Sequence, residues 1–207
     1  MPQIDFDGAN SLVKTDKIQG QSGTTVTVPT GHTVAITDAD RLTIAGTAVK
    51  AGALGKILQV LNTTITALVT GTTTLPQYDT IPQNNEAIDT TLIRSITPTN
   101  SSNTLRIDVV ITGLEFSVAT QVLTGALFQD TTSNAIASAV TFVSDVASKP
   151  TTLAFTHLMA AGTTSSTTFK VRAGCGNAGT TRINAFNTAR AHGGTSASTI
   201  TITEISA

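Results

Sequence analysis

The sequence predicts an all-β chain in which a short N-terminal strand repeat precedes an antiparallel β-sandwich. Three observations predict it. Threonine is about one residue in five, and β-branched side chains favour strands. Apolar and polar residues alternate with period two in many short runs, most cleanly in Thr199-Ile200-Thr201-Ile202-Thr203-Glu204-Ile205. No apolar pattern of helical period persists beyond about two turns.

The first strands are thin. Thr24 to Val28 alternates and closes at Pro29; Thr33 to Ile36 alternates and closes at Asp38; Arg41 to Gly46 is a third. Each carries two or three apolar residues, too few to bury a core alone. Residues 1–55 therefore read as an attachment or stalk region held by neighbours, with the small residues of 47–55 as a connector. Residues 56–207 read as the sandwich domain. Its strands begin with Lys56-Ile57-Leu58-Gln59-Val60-Leu61. Residues 70–86, rich in Thr, Pro, Gln and Asn, are a loop in which Pro76 and Pro82 discourage helix. Thr90–Thr97 follows, then a Thr-Pro turn. Leu105, Ile107, Val109 and Ile111 share one face of the next strand, with Arg106 and Asp108 on the other. Further strands are expected at 121–128, 135–143, 152–159, 167–173, 181–186 and 199–205. Seven to nine strands separated by polar turns make an antiparallel sandwich.

Composition excludes several functions. Charged residues are 12% and net charge is −1, so no basic field exists to hold nucleic acid or an anionic membrane. Aromatics are 4% with no Trp, which leaves little for base stacking or for an aromatic sugar-binding cleft. No apolar run approaches the roughly 18 residues of a helical membrane span. The acidic start, Met1 to Asp7, lacks the pattern of a signal peptide.

Chemistry has few candidates. Gly52-Ala53-Leu54-Gly55-Lys56 lacks the first glycine and the hydroxyl residue of a phosphate loop and reads as a connector. Asp5/Asp7 and Asp38/Asp40 lack the remaining ligands of a calcium loop and read as turn aspartates. His32, His157 and His192 include no pair at metal-ligand spacing. His32 is placed in a turn and His157 on the polar side of its strand. Cys175 has no partner for a disulfide and no Cys–His signature, so it reads as structural. The three Glu (Glu86, Glu115 and Glu204) show no sign of a catalytic pair. No catalytic residue, cofactor or metal is expected. The densest polar cluster is Arg182, Asn184, Asn187, Arg190 and His192, after the Gly-rich stretch 174–179. Loops at one end of a sandwich often carry recognition, so these five are the candidate recognition residues.

Asp16 to His32 resembles the N-terminal segment of surface proteins of tailed-bacteriophage virions: tail fibres, head fibres and capsid decoration proteins. Gly55 to Val60 is similar to the entry into their C-terminal domain. Ile96 to Ile107, a Thr-Pro turn leading into an alternating strand, and Ser198 to Ile205 are similar to segments within it. The usual Ser-Lys before that strand is replaced by Asn103-Thr104. The resemblance implies a jelly-roll-like, homotrimeric C-terminal domain. It also implies an N-terminal region attached to other virion proteins, a location on the virion surface, and contact with a host-surface glycan. It implies a structural, non-enzymatic role. The alternative reading is a carbohydrate-binding β-sandwich module.

Overall fold

The computed structural model describes residues 55–78, 80–142 and 145–207 in full, and the backbone of 43–44 and 47–48. The chain divides into two compact units, Met1–Val49 and Lys50–Ala207. In the first, β1 (Thr43–Ile44) and β2 (Thr47–Ala48) pair antiparallel. Residues 47–48, expected in a connector, are thus strand. The expected strands at 24–28 and 33–36, the Asp pairs and His32 lie outside the described residues.

The second unit is all-β, with no α-helix among the described residues. Its long strands are β3 (Ile57–Ile65), β5 (Ile88–Ile96), β6 (Thr104–Phe116), β7 (Val122–Gln129), β8 (Ala137–Phe142), β9 (Thr151–Ala160), β10 (Thr167–Cys175) and β14 (Ser198–Ile205). Short strands are β4 (Val69–Gly71), β11 (Thr181–Ile183), β12 (Ala185–Phe186) and β13 (Ala189–Arg190). Pairing is nested: β3 with β14, β5 with β10, β6 with β9, β7 with β8. The pairs β14–β6 and β10–β7 then join these ribbons into two sheets, β3–β14–β6–β9 and β5–β10–β7–β8. An antiparallel ribbon rolled up in this way, outermost strand with outermost, has the strand order of a jelly roll.

The sheets pack face to face. Gly125 of β7 makes room for Leu153 of β9 and Ile111 of β6, which meet the position a Cβ would take. Leu105, Ile107, Val109 and Ile111 fill the interior with Leu123, Leu127, Phe169, Val171, Ile200 and Ile202. Burying each such side chain is worth roughly 1.5–3 kcal/mol. Cys175 is buried in the same core. At one edge the Thr63 hydroxyl donates to the Ile93 carbonyl across the sheets (2.8 Å). At the other, Thr141 and Thr151 hydroxyls lie 3.2 Å apart.

Two expectations need correction. His157 is on the inner side of its strand, sharing a face with Leu153, Phe155 and Met159, while Leu158 points outward and is 60% exposed. Strand parity requires this once Leu153 is inside. The expected strand at 181–186 is broken: Asn184 takes φ +57° and separates β11 from β12. The loop expected at 70–86 begins two residues later, at 72, since β4 runs through Gly71. Its later part docks by backbone hydrogen bonds, Leu75 N to Cys175 O and Ala135 N to Pro82 O. Arg172 of β10 donates to Asn84 Oδ1 and to the carbonyls of Glu86 and Ala87.

Candidate recognition site

The polar cluster lies where β6 bulges. Its pairing with β9 slips between Ile111 and Leu114, and Gly113 sits in the bulge at φ +56°. A Cβ there would lie 2.6 Å from both the N and O of Ala185. Only glycine lets the start of β12 come this close.

Asn184 secures the hairpin that follows. Its N–H donates to Thr112 O and its carbonyl accepts from Ala191 N. Its Nδ2 donates to Ile65 O (3.1 Å) and Ala67 O (3.0 Å). Its Oδ1 accepts from Ser198 Oγ (2.7 Å) and Thr112 Oγ1 (3.2 Å). The residue is fully buried. Of the five sequence candidates it is thus an internal fastener with its polar atoms already engaged.

Glu115, also fully buried, holds the hairpin from the other side. Its Oε1 accepts from Thr188 N (2.9 Å) and lies 3.4 Å from Arg182 Nη1. Oε2 has no hydrogen-bond partner among the described residues. Burial raises the carboxyl above its ordinary range, against the lowering pull of Thr188 N–H, Arg182 and Asn187 N–H. Arg182 therefore also acts inward, as partner of this acid.

Three of the five candidates face outward. Asn187, at the hairpin tip between β12 and β13, is exposed at φ +50°. Arg190 is exposed, its guanidinium over Gly194. His192 is exposed at φ +47° in a 3-10 turn, Ala191–Gly194. The sequence reading missed Phe186, which is 53% exposed with its ring centroid 6.1 Å from that of His192. Strand parity through Thr181, Ile183 and Ala185, all buried, puts Phe186 on the outer side; Asn184 is the residue that departs from that parity. Beside these rings a cleft of about 370 Å³ opens, lined by Thr112, Thr151, Thr152 and Ser196 as well as Phe186 and His192.

The three glutamates serve as internal acceptors. Glu86 Oε2 takes Gln83 N–H (2.7 Å). Glu204 Oε1 takes Thr99 N–H, Thr99 Oγ1 and Asn103 Nδ2, and its Oε2 takes Gln59 Nε2. No group of three or more His, Cys, Asp or Glu suited to a metal occurs among the described residues.

No family model matches the chain, and no curated protein matches it. Among solved structures it is weakly similar to dimeric latent PorU from Porphyromonas gingivalis, at 11% identity and TM-score 0.34 over 78% of this chain and 15% of that one. It is weakly similar also to the VP2 subviral particle protein of infectious bursal disease virus, at 10% identity and TM-score 0.33 over 84% of this chain and 46% of that one. The chain spans less than half the length of either.

Proposed function

We propose that this protein is a non-enzymatic structural component of a virion surface, of the tailed-bacteriophage kind. In this reading it is a homotrimer, attached to other virion proteins through residues 1–55 and presenting one end of its sandwich to the host. The observation that carries the reading is the outer face of the sheet β3–β14–β6–β9. Cross-strand rows on it run Thr64-Thr199-Val110-Ala154, Asn62-Thr201-Asp108-Thr156 and Val60-Thr203-Arg106-Leu158. The polar members satisfy one another: Asn62 Nδ2 donates to Thr201 Oγ1 (2.8 Å), Thr156 Oγ1 to Asp108 Oδ1 (2.6 Å), and Arg106 pairs with Asp108 (3.0 Å). Val60 and Leu158, on the two outer strands, are 55% and 60% exposed.

A face whose polar side chains already satisfy one another, with exposed Val60 and Leu158 on its outer strands, offers a surface for contact with copies of itself. Each of the three glutamates accepts a hydrogen bond that holds a turn or strand, which supports the non-enzymatic part of the reading. Sedimentation velocity of the full chain tests the assembly, and mass spectrometry of purified particles tests the location. A trimer present in particles is expected. A monomer at all accessible concentrations, absent from particles, overturns the reading.

A further inference from the structure

We propose that the cleft beside Phe186 binds a neutral saccharide, with the phenyl ring as the stacking platform and hydroxyls of the lining as hydrogen-bond partners. It rests on the reading above only in taking this end of the sandwich as the one displayed.

Four observations carry it. An aromatic ring half in water forgoes much of its burial energy, and here it lines an open cleft. A pyranose has an apolar C–H face that stacks on such a ring and a rim of hydroxyls that needs polar partners. Thr152, on the outer parity of β9, and Ser196 are polar residues of the lining. The hydroxyl of Ser196 has one protein partner, and a hydroxyl has one donor and two acceptor sites. Third, the lining holds no carboxylate or Lys or Arg side chain, which matches a neutral ligand. Fourth, the walls are pre-positioned. Asn184 ties β12 to β6, to the turn after β3 and to β14, and Glu115 pins the hairpin at Thr188. Ordering the site on binding therefore costs little, which favours affinity from few contacts. A cleft of about 370 Å³ falls at the low end of the usual small-molecule range of roughly 300–1,000 Å³, a size for one or two sugar rings.

The experiment uses the full chain. Saturation-transfer and chemical-shift NMR are run with lactose, maltose, cellobiose, N,N′-diacetylchitobiose and a glucuronate disaccharide, preceded by a glycan array. At least one neutral saccharide is expected to perturb the Phe186 ring and His192 imidazole resonances. Phe186→Ala should weaken that binding by about tenfold or more, and Phe186→Tyr should retain it. Because the ring is half exposed, Phe186→Ala stays folded, and its melting temperature checks this.

Three results overturn the proposal. One is an array and panel that leave both resonances unmoved. Another is binding undiminished in Phe186→Ala. The third is binding of the uronate alone, lost with salt and in Arg190→Ala, which marks an anion site instead. If Phe186→Ala changes the sedimentation coefficient while no sugar binds, the hairpin is a subunit contact and the saccharide site is refuted. Saccharide binding is measured on soluble protein, so its failure leaves the assembly reading standing, and a monomeric protein leaves the saccharide result standing.

Discussion

The side-chain amide of Asn103 donates to Oε1 of Glu204 at 2.6 Å, joining the turn before β6 to the last strand of the chain. Asn103 Oδ1 accepts from Ala207 N (3.1 Å), so one residue fastens both the inward acid and the end of the chain. Burial works to raise the Glu204 carboxyl. Hydrogen bonds from Asn103, Gln59 and Thr99 outweigh it and hold the group down at about 2, against an ordinary 4.5.

The first prediction concerns acid. A carboxyl depressed in the folded state contributes stability that is complete above its unfolded value near 4.5. That stability is lost as pH falls through the folded value near 2. The shift corresponds to about 3 kcal/mol. Denaturant melts between pH 5 and 2 should show this loss in the native protein, and Glu204→Gln should flatten it. Asn103→Ala should cost about 1–3 kcal/mol at neutral pH by leaving buried acceptors short of a donor.

Glu115 is expected to behave in the opposite sense. Burial keeps its carboxyl protonated to higher pH in the folded than in the unfolded chain, despite Thr188, Arg182 and Asn187. Its contribution to stability therefore declines as pH rises from about 4.5 through the folded value. Carboxyl-carbon NMR titration should place Glu115 above and Glu204 below the ordinary glutamate midpoint. Coincident midpoints would sink both assignments.

Gly113→Ala is expected to cost roughly 3 kcal/mol or more, combining a left-handed backbone with a Cβ driven into Ala185. Thermal denaturation measures the loss. Nuclear Overhauser contacts between Phe186 and His192 should fade in the same variant, because β12 must move away from β6.

Leu158→Lys places a charge on the outer sheet face without touching the core, since Leu158 points away from it. The trimer reading predicts dissociation to folded monomers in sedimentation, with the melting profile of the sandwich retained at dilute concentration. A Leu158→Lys protein that sediments as a trimer would remove this face from the interface.

Much of the architecture is legible in local pattern, because a strand's period assigns each side chain to one face or the other. The alternation of 199–205 places Ile200 and Ile202 in the core, and that of 105–111 does the same for its apolar residues. The same parity puts Glu204 inside, a position that makes sense only once Asn103, about a hundred residues earlier, is known to meet it. Pairing partners are set by contacts of long sequence separation, and nothing in a single strand names its neighbour.

The candidate site shows the same division. Composition marks out the region 182–192, but turns of left-handed backbone at Asn184, Asn187, Thr188 and His192 decide which side chains reach solvent. Two candidates, Arg182 and Asn184, turn inward because Glu115 and the carbonyls of Ile65 and Ala67 need donors there. Phe186 faces outward on the parity that buries Ile183 and Ala185, and Gly113 lets the backbone of Ala185 come close to β6. Residue identity alone thus determined an all-β chain of alternating strands with scarce titratable chemistry. The nested strand order, the cleft and the side chains facing it came from the tertiary structure, since distant hydrogen-bond demands overrode the local period.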